Sequence, residues 1–505
     1  MKKIVLKYSL VFFAAMHLAA GCFGAERPNI LMIAIDDIND WIGPLGGHPQ
    51  AKTPELDRFC AGGAMVFKNA VCAAPICGPS RSAVLSGFLP STTGVYGNGH
   101  NMIFSEIVKT HATLPEYFTQ HGYYTLSNGK IFHKHGIDGK YTDFGHWAWD
   151  EHARARRGVN NRPDKAKLTA AGAGIINGIS KPEYKGKAKL SWGPTQCGFE
   201  EMVDYKVAAW TEEVLQRDFE KPFFIASGII KPHLPWYVPQ QFFDLYDLES
   251  IQPPEVKEDD LDDILTPKGK KAFKPSGEYE WIKKHGLEKD ATRAYLASIS
   301  FADACVGKML RALENSQYAD NTIVVIWGDH GWHLGEKQRF LKNTTWNETA
   351  KTPFIVKIPG MKKPLVCDRT VSLIDIYPTL VSLCGLPEKE LDGLDFSPLL
   401  KNPETAWDRP GITVTSAGTS VMGERWHYAL QLDGTEELYD LQNDPMEWTN
   451  LINSPEYAAI AARMKKWVPE TRAAGKFPNH KKPKNYVDAD AAPGIKATRD
   501  LSRLK

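Results

Sequence analysis

At 505 residues, with 43% hydrophobic and 24% charged side chains and a formal net charge of +1, the chain is long enough for more than one domain and a sizeable core. That composition describes a soluble globular protein, and nothing in it asks for nucleic acid, which is set aside as a partner. At the N-terminus Lys2, Lys3 and Lys7 precede a mainly apolar run over 10–20 that ends in Ala19-Ala20-Gly21 before Cys22. Positive, then apolar, then small is the layout of a secretory signal, and the run is too short to span a membrane. Residues 1–25 are therefore expected to be a signal peptide. The mature chain is then exported to the periplasm, the medium or the cell surface, with no transmembrane segment. Ala19-Ala20-Gly21-Cys22 also looks like a lipoprotein box, so Cys22 is a candidate for lipid attachment, with release near Ala25 as the other outcome.

Residues 29–35 form a nearly continuous apolar run suited to a strand buried on both faces, and the run ends at Asp36-Asp37. Thr53-Pro54 opens a helix, and a short strand at 65–67 leads to Cys77-Gly78-Pro79-Ser80-Arg81, where a loop of small residues gives way to a helix start. A helix from Thr113 and a strand at 123–126 run into Gly129-Lys130-Ile131-Phe132-His133. Residues 151–194 are basic, rich in Gly and Ala and without period, so they read as a long excursion. A helix at 205–217 and a strand at 222–228 deliver Lys231-Pro232-His233, and the acidic run 255–263 reads as a solvated loop face. Apolar residues at helical spacing over 291–313 precede a strand at 322–327, which ends at Gly328-Asp329-His330-Gly331. A strand at 353–357 and a helix at 372–383 close the first unit. Short alternating strands at 411–415, 426–431 and 437–441, with a helix at 455–467, then suggest a second one. The expected fold is α/β: a large mixed, mainly parallel sheet sandwiched by helices over 26–402, then a smaller C-terminal α+β subdomain with an antiparallel sheet over 403–475, and a basic tail over 476–505.

Four strand ends thus present ionisable residues, where open α/β sheets place their sites. Asp36, Asp37 and Asp329 repel one another unless a cation neutralises them, and carboxylate oxygens suit calcium or magnesium. Arg81, Lys130 and Lys342 add fixed positive charge, and His133 and His233 can move protons near neutral pH. A divalent ion among several cations suits a tetrahedral oxyanion, sulfate or phosphate, with Cys77 as the candidate nucleophile carrier. Without Cys77, six cysteines remain (Cys60, Cys72, Cys197, Cys305, Cys367 and Cys384), an even number that permits disulfides without fixing a pairing.

Cys77-Gly78-Pro79-Ser80-Arg81 with Leu85-Ser86-Gly87 resembles the signature of type I, formylglycine-dependent sulfatases, with Ser86 where the family has Thr. Asp36-Asp37, Gly129-Lys130 with His133, Lys231-Pro232-His233, Asp329-His330-Gly331 and Lys342 look like the family's site segments in the expected order. Glu437-Leu438-Tyr439-Asp440-Leu441 with Asp444-Pro445 and Glu447 looks like its C-terminal marker. The Gly-Lys-Ile-Phe-His, Lys-Pro-His-Leu-Pro and Asp-His-Gly-Trp-His-Leu-Gly-Glu segments are most similar to the iduronate-2-sulfatase-like branch, which also has His at the position of His330.

The resemblance implies an alkaline-phosphatase-like fold and one calcium ion, rather than magnesium, held by Asp36, Asp37, Asp329 and His330. It implies that a formylglycine-generating or anaerobic sulfatase-maturating enzyme oxidises Cys77 to formylglycine, which becomes a further metal ligand and the nucleophile carrier. Arg81, Lys130 and Lys342 would steady the aldehyde hydrate and the sulfate oxygens; His233 would protonate the departing sugar oxygen, and His133 would deprotonate the second hydroxyl. The substrate class it suggests is a sulfated saccharide, such as a 2-O-sulfated uronic acid of a glycosaminoglycan or algal polysaccharide, with choline sulfate as a small alternative. The 151–194 excursion with Trp236, Trp332 and His333 is expected to shape the leaving-group pocket and bind substrate. Two other readings are a phosphatase or phosphodiesterase of the same superfamily, against which a Cys before Pro-Ser-Arg argues, and a non-catalytic protein that binds sulfated glycans.

Overall fold

The computed structural model describes residues 27–133, 145–153, 190–195 and 197–475. The signal peptide expected at 1–25 with Cys22, most of the 151–194 excursion and the 476–505 tail lie outside the described residues. In chain order the main elements begin with β1 (Asn29–Ile35), α1 (Pro54–Ala61), β2 (Met65–Val71), α2 (Cys77–Ser86), α3 (Leu114–Gln120), β3 (Tyr124–Gly129) and β4 (Glu151–Ala153). They continue with β5 (Trp192–Thr195), α4 (Val203–Leu215), β6 (Phe223–Ile229), β7 (Trp236–Pro239), α5 (Glu288–Glu314), β8 (Thr322–Gly328), β9 (Phe354–Lys357), β10 (Leu365–Ser372) and α6 (Ile376–Leu383). A last group comprises β11 (Gly411–Val414), β12 (Gly418–Met422), β13 (Trp426–Gln431), β14 (Glu436–Asp440) and α7 (Ala458–Lys465).

An eight-stranded sheet in the order β10-β2-β9-β8-β1-β6-β3-β4 forms the centre. All of its pairings are parallel except those of β9, which runs against β2 and β8. Every residue of β1, β6 and β8 is buried, as expected of strands covered on both faces, which is why their sequences are apolar runs without alternation. Leu31, Ile33 and Ile35 of β1 pack into one core with α4 and α5, while Ile30, Met32 and Ala34 pack into another with α2, α3 and α6. β11 to β14 form a separate antiparallel sheet covered by α7. The α/β sandwich with a smaller antiparallel C-terminal sheet is thus the architecture expected from sequence.

Alternation over 411–441 revealed three of the four C-terminal strands. β12 escaped notice because Gly-Thr-Ser-Val-Met is buried throughout and does not alternate. The acidic run is not simply a solvated face: Asp260 is buried and pairs with Lys337 at 2.7 Å. All seven described cysteines are free thiols, Cys305 and Cys384 among the core residues. Among the described residues no helix is long and apolar enough to cross a membrane.

The sheet order explains why the site exists. β8, β1, β6 and β3 are adjacent and parallel, so their carboxyl ends finish on one edge. Register aligns Ile35 with Ile229 and Gly328, and Gly129 with Gly228. Gly129 has φ of 76°, and a Cβ there would lie 2.1 Å from the Gly228 carbonyl oxygen. Only glycine lets β3 turn Lys130 towards β1 at that close approach.

Candidate active site

Cys77 opens α2 from the extended residue Ile76, and it is fully buried. Pro79 belongs in the first turn because its missing N–H is one that the helix could not satisfy internally. Asn98 Oδ1 accepts from Gly78 N at 2.7 Å, which ties down one of those free donors. Lys342 Nζ donates to Cys77 Sγ at 3.0 Å; His330 Nε2 lies 3.4 Å from the sulfur and Asp37 Oδ1 3.6 Å. Burial raises the thiol, but Lys130, Lys342 and His330 outweigh it and bring Cys77 well below the ordinary thiol range.

The acids are set by backbone geometry. Asp36 N donates to Ile229 O at 3.1 Å and Asp329 N to Ile35 O at 3.2 Å, continuing the ladder past the strands. Asp37 then turns into the left-handed region with φ of 62°. Tyr295 of α5 holds that turn, its hydroxyl donating to Asp37 O at 2.7 Å and accepting from Asn39 N at 3.0 Å. Asp37 N donates to Asp329 Oδ1 at 3.0 Å, which brings the two carboxylates together.

Four cationic groups answer them. Arg81 is fully buried: Nε donates to Asp329 Oδ2 at 2.7 Å and Nη2 to Asp36 Oδ1 at 3.3 Å, while Nη1 reaches the carbonyls of Lys130 and Ile131. Lys130 Nζ pairs with Asp36 Oδ2 and Lys342 Nζ with Asp37 Oδ1. Burial and Cys77 push Asp36 up, yet Lys130, His233 and Arg81 hold it well below the usual carboxylate range. Burial would lower His330, but Asp329 and Cys77 carry it up to about 9. A proton there answers the same negative charge that a metal ion would.

The donor set can hold a metal ion. Asp36, Asp37, Cys77 and His233 offer ligand atoms within 4.8 Å of one another, and so do Cys77, Asp329 and His330. Asp37 Oδ2 is buried with no hydrogen-bond partner, which is costly for an ionised oxygen unless an ion takes it. His330 Nδ1 sits 2.9 Å from Gly331 O, which fixes the tautomer that leaves Nε2 free to coordinate.

The two remaining histidines differ. His133 is buried against Cys77, and burial pushes it down to about 4, so it is a neutral imidazole able to accept a proton. His233 is the more open, its side chain 34% exposed, with Nε2 3.9 Å from Asp37 Oδ2. Its Nδ1 lies 2.6 Å from Leu234 O and therefore carries the hydrogen, leaving Nε2 to face the site.

Trp236, Trp332 and His333, expected to shape the leaving-group pocket, are buried behind the site. Trp236 packs among Trp192, Tyr295 and Trp332, with ring centroids 5.8, 5.4 and 6.1 Å away. Trp332 lies beneath Lys342, whose Nζ is 5.3 Å from its ring. His333 Nε2 bonds Thr344 Oγ1 at 2.9 Å within the same wall.

Sequence reasoning gave no role to the C-terminal marker, which braces the loop carrying Lys342. Glu437 is buried and accepts from Trp346 Nε1 at 2.7 Å and Tyr439 OH at 2.8 Å. Glu447 Oε2 accepts from Asn347 N at 2.9 Å and its Oε1 pairs with His427 Nδ1. Removal of the Glu437 carboxylate would strand two buried donors at about 1–3 kcal/mol each. Glu437→Ala is accordingly expected to lower thermal stability and to slow turnover, whereas Glu437→Gln, which keeps an acceptor, should lose less of both in melting and rate measurements.

A family model described as Sulfatase matches residues 28–386, and one described as N-sulphoglucosamine sulphohydrolase, C-terminal, matches 328–474. A sulfatase of Formosa agariphila is 37% identical over 458 residues, covering 89% of this chain and 87% of its own. Human iduronate 2-sulfatase is 29% identical over 404 residues, covering 71% and 69%. Among solved structures, a 2-O GAG sulfatase superposes with a TM-score of 0.65 at 22% identity, covering 87% of this chain and 91% of that one, a likeness of fold. A single family model spanning β1 to β8, together with a relative alike along nine-tenths of the chain, settles the assignment: this chain belongs to the type I sulfatase family and is a sulfuric ester hydrolase.

Proposed function

We propose that the chain releases inorganic sulfate from a sulfated saccharide, using a formylglycine made from Cys77 and one calcium ion. The observation that carries this reading is the convergence on Cys77 Sγ of Lys342 Nζ, His330 Nε2 and Asp37 Oδ1 at 3.0–3.6 Å, at the start of a buried helix. Asp36, Asp37, Asp329 and His330 would hold the ion, with the side chain at position 77 beside them. Calcium fits better than magnesium because the donors are uneven in type and direction, which the larger ion tolerates. Bound, the ion supplies Lewis acidity towards a sulfate oxygen, and the hydrated aldehyde supplies a hydroxyl nucleophile with a second hydroxyl in reserve.

The chain's own groups do the rest. Lys130 and Lys342 place positive charge where the transferring group gathers negative charge. Arg81, whose three nitrogens hydrogen-bond Asp36, Asp329 and two carbonyls, holds the acids in place and adds fixed positive charge beside position 77. His233, when protonated, donates from Nε2 to the departing sugar oxygen; His133, neutral and against position 77, takes up the proton that lets sulfate leave. The chain is exported and matured by a formylglycine-generating or anaerobic maturating enzyme. The similarity to iduronate 2-sulfatase supports a 2-O-sulfated uronic acid as the sugar.

Sulfate release from a panel of defined sulfated saccharides, with an aryl sulfate and choline sulfate alongside, tests the substrate class. Mass spectrometry of the peptide over Cys77 in native-host protein tests maturation: an unmodified thiol throughout would refute the mechanism. Chelation is expected to abolish turnover and added calcium to restore it. Calcium at a hundred times its Kd should also add about 2.7 kcal/mol of stability, read as a rise in Tm.

A further inference from the structure

Lys231 is fully buried, two residues after β6, and its amine contacts carbonyls: Nζ donates to His233 O at 3.2 Å and to Pro235 O. Those carbonyls flank the Leu234 carbonyl that receives His233 Nδ1–H at 2.6 Å. The peptide that orients the imidazole is therefore pinned on both sides by one amine. The backbone of Lys231 is pinned in turn by Asp204 of α4, also buried, whose Oδ1 accepts from Ile230 N at 3.0 Å and Oδ2 from Lys231 N at 2.9 Å. His233 N closes the turn on Ile230 O at 2.8 Å. Burying an amine among carbonyls gives up hydration that an apolar side chain would not lose, so packing alone does not call for a lysine here.

We propose that Lys231 and Asp204 are positioning residues for His233, fixing the peptide to which its Nδ1 is bonded so that Nε2 meets the leaving oxygen of the ester. The inference rests on His233 acting as the acid. A displaced acid affects only the ester whose leaving group needs a proton. A sugar alkoxide needs one; 4-nitrophenolate leaves without it.

The test compares matured wild type, His233→Ala, Lys231→Met and Asp204→Asn on the fastest saccharide of the panel and on 4-nitrophenyl sulfate. Lys231→Met is expected to lower kcat on the saccharide about tenfold or more, with KM and the aryl sulfate rate changed less than about twofold. Asp204→Asn keeps the shape and one acceptor, should fall the same way by less, and carries the comparison if Lys231→Met does not fold. In protein labelled with 15N-histidine, the downfield Nδ1–H resonance of His233 should be present in wild type and lost in Lys231→Met. Equal losses on both esters in Lys231→Met and Asp204→Asn, or an unchanged resonance, overturn the inference. If His233→Ala shows the split while the other two do not, only the positioning role fails. If His233→Ala itself slows both esters equally, the assignment of the acid fails and takes the inference with it.

Discussion

Cys77→Ser is expected to leave a folded protein that turns over no substrate, its steady-state rate lower by about 10⁶-fold, the scale on which loss of a covalent nucleophile is felt. The fold should survive because the substitution exchanges one small buried atom for another at a helix start whose contacts are made by Gly78, Ser80 and Arg81. A serine offers one hydroxyl where the proposed hydrate offers two. Once that hydroxyl has taken the sulfuryl group, His133 has no second O–H to deprotonate, and the ester persists. Intact-mass measurement after incubation with substrate should therefore find one added SO3 per chain in Cys77→Ser and none in Cys77→Ala. Wild-type turnover by Cys77→Ser would show that no conversion at position 77 is needed.

That the site was legible in sequence follows from how it is built. Asp36-Asp37, Lys130, His233 and Asp329-His330 each end or follow a central strand, so an apolar run followed by an ionisable residue marks them without any knowledge of register. Residue type alone does not say which partner a side chain chooses. Arg81 has the charge to bind sulfate, yet its nitrogens are taken by acids and carbonyls. Trp332 has the ring to stack on a sugar, yet lies under Lys342. Asp204 was invisible for a different reason: it lies in the first turn of a plain amphipathic helix, and only the packing of α4 on β6 brings it to Ile230 and Lys231. The C-terminal marker was visible as a pattern, but its purpose depends on a docking between two sheets that no local spacing encodes.

Arg81→Met is the second large effect, and its size depends on the metal. The guanidinium satisfies Asp329 and Asp36 at 2.7 and 3.3 Å in a site with no access to water. Removing it leaves buried carboxylates short of one cation, and breaking such a pair from one side costs about 3–5 kcal/mol. A divalent ion bound by the same acids would neutralise much of that excess. The loss of stability should therefore be large in chelated protein, a fall in Tm of about 3–5 °C, and clearly smaller when calcium is present. With calcium present turnover should fall as well, because Arg81 Nη1 also holds the carbonyl of Lys130 and so the amine beside Asp36. Melting of wild type and Arg81→Met with and without calcium separates the contributions as a thermodynamic cycle. If the mutation costs the same with and without calcium, the ion and Arg81 do not answer the same charges, and the acids assigned to the metal are not its ligands.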